Sequence, residues 1–555
     1  MPFIVKKRIN GNDYYYLRQS TREGEKVISK CLAYLGKNRG EAEKKAKEIM
    51  NNIETNQKIV AGNVSKIEEP TEATKISVDD MAMFCKRKGF VYASGEIYGG
   101  LAGFWDFGPL GAELKNNLKR EWWKYHVYSR EDVVGIDGSI ITHPMVWKAS
   151  GHVDSFSDVF VVCKDCKKPS KIDKAEIGKV KCINCQGEYD FANAKDFMLM
   201  FKTTVGLDTL AYLRPETAQL IFADFKSVAE NSRAKLPFGI AQIGKAFRNE
   251  IAPRDFIFRN REFEQMEIEY FVKPGEDCPY DIPNEEILVF SAEAQEKAEE
   301  PVKMKFKEAL EKGIIKKKWH AYWLANEFLF FKNLGANTDN FRIRQHAKNE
   351  LAHYSSDCWD LEYNFPFGWK ELEGIADRSN YDLKQHEKFS KKDLTIFDEE
   401  TKERFLPEVI CEPSLGVERA FLVFMFDAYH DDKKRNNIVL KLHPKLSPVK
   451  AAIFPIVKKP EFEEIATNVL KTLRQEWNIL YDKSGSIGRR YARNDEAGTP
   501  YCITIDGDSL KNNDVTIRDR DTTRQIRVKV SDIRDVLRKL INREIEFEKA
   551  GKLIA

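Results

Sequence analysis

Between Phe247 and Glu267 the chain places four arginines and four glutamates inside a β-prone pattern. The run Phe247-Arg248-Asn249-Glu250 and the run Phe258-Arg259-Asn260-Arg261-Glu262-Phe263-Glu264-Gln265-Met266-Glu267 read as two strands joined by a loop. On an extended second run, Arg259 and Arg261 share one face, and Glu267 has the same parity. A sheet face carrying Arg and Glu together is costly to bury unless a ligand demands both charges. Guanidinium groups bind phosphate bidentately and keep their charge when desolvated. The hairpin therefore suits a ligand bearing phosphates and a cation. An ordinary surface hairpin with cross-strand ion pairs fits the same residues equally well at this point.

A second segment narrows the choice. Cys411-Glu412-Pro413-Ser414-Leu415-Gly416-Val417-Glu418-Arg419 runs into the apolar stretch 420–426. Gly416 offers backbone access, and Arg419 sits where a buried helix begins. An arginine there needs an anion, from a ligand or from a structural carboxylate.

Cys163, Cys166, Cys182 and Cys185 form a CxxC-x15-CxxC set. Two turns that each present two thiolates can close a tetrahedron around Zn²⁺. Four cysteine ligands leave no open position, so the expected zinc is structural. The other six cysteines are scattered singly and read as small buried hydrophobes. Ten cysteines among 555 residues are too few for a disulfide scaffold, and reduced thiols with zinc point to the cytoplasm. No run approaches a membrane helix, and the first residues lack the pattern of a secretory signal.

Charge divides the chain. Residues 1–66 carry 14 basic and 7 acidic side chains, and residues 445–555 carry 22 and 17, while the middle is left with 54 and 63. Basic ends suit a polyanion, and an acidic centre suits a cationic or metal-bound substrate. The composition shifts suggest a small basic α+β module over 1–60, with short strands and a helix near 41–53. A polar linker follows over 61–77, then a long mixed centre over 78–444, and an α/β domain over 445–555 beginning after His443-Pro444.

Taken together, the segments around Arg248 and Arg419 resemble motifs 2 and 3 of class II aminoacyl-tRNA synthetases. Further runs narrow the resemblance to the glycyl-tRNA synthetases, in the dimeric form shared by archaea, eukaryotes and some bacteria. Gly108-Pro109-Leu110-Gly111 looks like motif 1, and Leu213-Arg214-Pro215-Glu216-Thr217, Gly368 through Arg378 and Glu412-Pro413-Ser414 match the same family. So do Asp482 through Tyr491 and Asp495 through Tyr501.

The resemblance implies a class II catalytic domain, an antiparallel sheet flanked by helices, with a zinc-binding insertion at 163–185 and a helical insertion at 278–340. The 445–555 domain would bind the anticodon. It implies ATP-dependent attachment of glycine to tRNA(Gly) through an adenylate, with Mg²⁺ accompanying ATP, by a homodimer that uses Pro109 at its interface. Arg248 and Arg419 would be catalytic. Arg248, Asn249, Glu250, Phe258, Arg259, Phe263, Glu371, Leu372, Gly416 and Arg419 would bind ATP. Glu216, Phe263, Gln265, Glu267, Glu412 and Ser414 would bind glycine. The alternatives are a non-catalytic nucleic-acid-binding paralogue, or a class II enzyme for another small amino acid. Glu418 departs from the usual Gly or Asp before the motif 3 arginine. His143, His152, His346 and His353 have no metal-ligand spacing and read as structural. Arg489, Arg490 and Arg493 are candidates for RNA contact.

Overall fold

The computed structural model describes residues 76–554 except 173–176, 352–354 and 399–400, together with Gly40 and the strands Pro2–Ile9, Asn12–Glu23 and Lys26–Gly36. The chain divides into two units, Met1–Thr74 and Lys75–Ala555. In the first, the three strands form an antiparallel meander. The helix expected near 41–53 and most of the 61–77 linker lie outside the described residues.

The second unit is built on a nine-stranded sheet. Its order is Val302–Lys305, Glu286–Phe290, Phe341–Gln345, Asp357–Phe365, Gly368–Asp377, Glu408–Gly416, Glu262–Val272, Phe238–Phe247 and Val133–Ile136. All neighbours are antiparallel except the pair Glu286–Phe290 with Phe341–Gln345 and the pair Phe238–Phe247 with Val133–Ile136. The mixed, mostly antiparallel sheet gives each strand two chemically distinct faces. Along Glu262–Val272, Met266, Ile268 and Tyr270 enter the main hydrophobic core. Gln265, Glu267 and Glu269 alternate onto the opposite face.

Three helices cover the core face: Pro109–Trp123, Lys318–Asn333 and Val417–Ala428. Pro109–Trp123 starts with proline at its first turn, where the missing N–H costs nothing, and buries Gly111, Leu114, Leu118 and Trp122 along one stripe. Gly111 is required by a close crossing: a Cβ there would come within 1.9 Å of the Phe90 carbonyl oxygen. Helix Ala218–Ser232 packs on the other face through Ile221, Phe222 and Phe225 against Phe238 and Phe271.

The segment 278–340, expected as a helical insertion, is part of this core. It supplies two strands to the sheet, and its helix Lys318–Asn333 is buried on nearly every side. A helix apolar all round belongs inside, which the Trp and Phe content of 319–331 explains.

The four motif cysteines lie beside a separate three-stranded sheet of Ser157–Val162, Pro169–Ile172 and Lys195–Met198. Residues beyond 445 form a six-stranded sheet, whose parallel half is Ile479–Tyr481, Ala451–Pro455 and Tyr501–Ile505. Helices Pro460–Leu473, Ile487–Ala497 and Ile533–Asn542 accompany it. The seam to the nine-stranded region is polar. Arg435 donates to the carbonyls of Arg520 and Asp521, and Asn117 of helix Pro109–Trp123 donates to those of Leu446 and Ser447. Among the described residues, no helix is long and apolar enough to cross a membrane.

Candidate active site

The sheet face opposite the main core floors a cleft of about 530 Å³. Every residue expected to bind ATP or glycine lines it except Asn249. Asn249 spends its backbone N–H on the Leu199 carbonyl and stands off the cleft wall.

One end of the cleft is cationic. Arg248 opens the hairpin loop, where its Nε donates to the Pro215 carbonyl at 3.0 Å and its guanidinium lies 5.4 Å from the Phe263 ring centre. Arg259 reaches the cleft from the loop, because the strand begins only at Glu262. Arg259 and Arg261 therefore do not share a strand face. Arg261 turns away and donates to the carbonyls of Glu250 and Ala102. Arg259 pairs with Glu250 at 3.0 Å. Asp255 and Phe256 at the loop tip both adopt left-handed backbone, and Phe256 is anchored edge-on to Trp105. Such strain is held where the surroundings fix it.

Arg419, in the first turn of helix Val417–Ala428, contacts the Glu371 carboxylate at 3.1 Å and donates to the Glu371 carbonyl at 2.9 Å. Its guanidinium lies 4.6 Å from the Phe258 ring centre. The cation beside it holds the Glu371 carboxyl below the ordinary range. Glu418 accepts from Lys115 at 2.5 Å and from the Glu264 backbone N–H at 2.9 Å. This unusual residue thus joins the motif 1 helix to the motif 2 strand.

The other end is acidic and buried. Glu267, Glu269 and Glu412 bring carboxylate oxygens within 4.8 Å of one another. Ser414 Oγ donates to Glu267 Oε1 at 2.7 Å, Thr217 donates to the other oxygen, and Gln265 Nε2 donates to Ser414. Burial pushes the Glu267 carboxyl up, and the nearby Glu216 adds to it. Burial likewise raises Glu269 well above its usual range and carries Glu412 up to about 8, although Arg378 opposes the latter. Glu216 is held low, with burial outweighed by His152 at 3.3 Å and by Arg378 and Arg248. Among the described residues, Gln265 Oε1 and both Glu269 oxygens are buried with no hydrogen-bond partner. Three crowded carboxyls and an orphaned amide oxygen form a receptor for a small cation with several N–H donors.

Arg378, His152 and Thr217 contact the acidic pocket without having been expected there, and His346 and Asp360 line the cleft beside it. Arg378 and Thr217 lie inside motifs already quoted, and their charge and hydroxyl were the available signal. His152 and His346, expected as structural, instead meet Glu216 and the cleft. In the C-terminal domain Arg490 turns inward onto the Pro455 carbonyl, while Arg489 and Arg493 are exposed. The four motif cysteines converge, with Cys163–Cys185 and Cys166–Cys182 sulfur separations of 3.5 and 3.6 Å.

An antiparallel sheet with arginines from a hairpin and from a helix start, above a buried acidic pocket, defines a class II aminoacyl-tRNA synthetase. Residues 201–427 match the tRNA synthetase class II core domain (G, H, P, S and T), and residues 450–540 match the anticodon binding domain. Glycine–tRNA ligase of Borreliella burgdorferi is 44% identical over 485 residues, which is 85% of this chain and all of that one. The enzyme of Thermobifida fusca is 43% identical over 489 residues (83% and 97%), and that of Clostridium tetani 44% over 505 (85% and 99%). The chain belongs to the glycine–tRNA ligase family.

Proposed function

We infer that this chain joins glycine to the 3′ end of tRNA(Gly) through a glycyl-adenylate made from ATP. The observation that carries the reading is the pair Glu267 and Glu412, backed by the fully buried Glu269, at one end of a cleft whose other end holds Arg248, Arg259 and Arg419.

Adenylation is an in-line attack by the glycine carboxylate on the α-phosphorus. It requires alignment and charge compensation and no protein nucleophile. Arg248 would meet the α-phosphate and Arg419 the γ-phosphate, with Arg259 and Phe263 gripping the nucleotide. Phe258, Leu372 and Gly416 would shape the walls. Mg²⁺ bound with ATP supplies further neutralisation of the phosphate charge. Glu371, held ionised, and Glu250 offer the hard oxygen donors such an ion takes.

Glycine has no side chain to recognise, so selection must exclude a Cβ. Glu216, Glu267, Glu412, Ser414 and Gln265 would crowd the ammonium and oppose a methyl by sterics and desolvation. The presence of all these groups in one cleft disfavours a non-catalytic paralogue.

The four cysteines fit structural Zn²⁺: bonds of about 2.3 Å place tetrahedral sulfurs about 3.8 Å apart, close to the separations above. A homodimer built on helix Pro109–Trp123 would cover Ile97, Tyr98 and Leu101, which are 87%, 89% and 61% exposed. Reduced thiols suit the cytoplasm. The 445–555 domain would meet the anticodon, with the exposed Arg489 available to phosphates, while Arg493 is paired with Asp482.

Transfer of labelled glycine to a tRNA(Gly) transcript tests the reading. Charging that requires ATP and glycine is expected, and tRNA left uncharged at saturating substrate would overturn it.

A further inference from the structure

Adenylation leaves one pair of groups in the cleft without a task. His346 follows strand Phe341–Gln345, and its Nε2 lies 2.8 Å from Asp360 Oδ2 on the adjacent strand. Both line the same cleft as the arginines and glutamates. Strand register places Asp360, Gly374, Ser414 and Glu267 opposite one another on four successive strands, with Arg344 and Gln242 continuing the row at either end. At about 4.8 Å per strand, the backbone of Asp360 stands about 10 Å from that of Ser414.

Gly374 fills the interval with no side chain. A Cβ placed there would meet only Asp360 Oδ1 within 4 Å, at 3.9 Å. The sheet floor therefore dips into a trough at Gly374. Ser414 and Glu267 stand on one bank, and Asp360 and His346 on the other.

We propose that His346, oriented by Asp360, accepts the proton of the terminal ribose hydroxyl of tRNA in the second half of the reaction. The proposal rests on the glycyl-transfer reading above. A glycyl group whose ammonium met Glu267 and Glu412, and whose phosphate met Arg248, would lie beside the trough with its carbonyl carbon open to it. The 3′-terminal adenosine enters there. Its O–H bond breaks and the proton passes to His346 Nδ1. The oxygen pair forms the ester bond to the carbonyl carbon. The acyl–phosphate bond breaks with its electron pair leaving on AMP, and the imidazolium returns its proton to solvent. Asp360 holds the Nε2–H, which fixes the tautomer that keeps the Nδ1 lone pair in reach of a substrate hydroxyl.

The surroundings bear on when that lone pair is available. Arg344 approaches Asp360 at 3.8 Å and is itself gripped by Glu350 at 2.7 and 2.8 Å. Glu362 and Glu371 act on the pair from the same strand and from the next, and Cys358 is the uncharged neighbour. The hydrogen bond that His346 donates to Asp360 holds the imidazole above its ordinary value of 6.5. The neutral imidazole therefore becomes available at higher pH than for a free histidine, and transfer should speed up as pH rises above the ordinary imidazole range.

The test separates the two half-reactions in the full-length enzyme. Preformed enzyme–glycyl-adenylate is mixed rapidly with tRNA, and glycine-dependent ATP–pyrophosphate exchange is measured in parallel. His346→Ala should slow single-turnover transfer by about 100-fold and flatten its rise with pH, while exchange changes by no more than about threefold. Asp360→Asn, which keeps the shape and removes the orienting charge, should slow transfer by about 10-fold or more with the same split. Transfer within about threefold of the unaltered enzyme in both variants would overturn the proposal and leave the proton to the adenylate phosphate. Exchange falling as far as transfer would also overturn it, because the pair would then be structural. Failure of the unaltered chain to exchange with glycine would instead remove the underlying reading.

Discussion

Arg378 Nη1 donates to Glu412 Oε1 at 2.8 Å while Nε and Nη2 grip Asp382 at 2.8 and 2.9 Å. The arginine is 1% exposed, so its removal leaves two buried carboxyl groups facing each other without a cation. Arg378→Leu is expected to cost about 3–5 kcal/mol of stability, read as a lower denaturant midpoint, with glycine KM raised in whatever folds. Arg378→Lys should recover part of the stability but not the two-sided grip. Unchanged unfolding for Arg378→Leu would show that the carboxyls need no such partner.

The acidic pocket has a pH signature. Glu412 is carried up to about 8 and Glu267 is also raised, each mainly by burial. A carboxyl whose folded value exceeds its unfolded 4.5 binds an extra proton in the folded state. Its contribution is full below about 4.5 and is lost as pH rises through about 8. The glycine ammonium favours the ionised carboxylates, so glycine binding should expel protons and tighten as pH rises toward 8. Calorimetry at neutral pH in buffers of different ionisation heat measures this directly. Binding heats independent of buffer would contradict it.

Glu267 touches both Ser414 and Thr217 and lies beneath the pocket. If the Glu267 carboxylate binds the ammonium and fills the space of a methyl, as proposed, Glu267→Ala should raise the glycine KM by about 10-fold or more and let alanine support exchange. Unchanged glycine kinetics with no alanine activity would remove Glu267 from the pocket.

Converging thiols make a measurable claim about metal. Purified protein should carry about one zinc per chain, and Cys163→Ser together with Cys182→Ser should lower zinc content and thermal stability together. Full stability without zinc would show that the small hydrophobic cluster around Val159, Val161 and Tyr189 holds the segment unaided.

What the sequence made legible was local. The hairpin around 248–261, the apolar helix after Gly416 and the paired CxxC turns each declare themselves within a few residues. The resemblance puts Arg259 in the cleft, whereas the strand parity that pairs it with Arg261 does not exist, since Arg259 arrives on a loop closed by the Arg254–Arg259 bridge. Asp360 and His346 were out of reach for a different reason. They lie 14 residues apart, and only the register of four strands sets Asp360 opposite Gly374 and in line with Glu267. Segment 278–340 looked like an appendage because its helices dominate its pattern, yet packing against the sheet makes it core. Asn249 shared a motif with two cleft residues, but its backbone is drawn to Leu199.

If the crowded acidic pocket beside Arg248, Arg259 and Arg419 selects by leaving no room for a Cβ, only the amino acid that lacks a side chain should be activated. ATP–pyrophosphate exchange with glycine, threonine, proline, histidine and serine, each supplied alone, tests it most directly. Exchange with glycine and background with the other four is the expected result. Faster exchange with any of the other four, or none with glycine, would contradict the account.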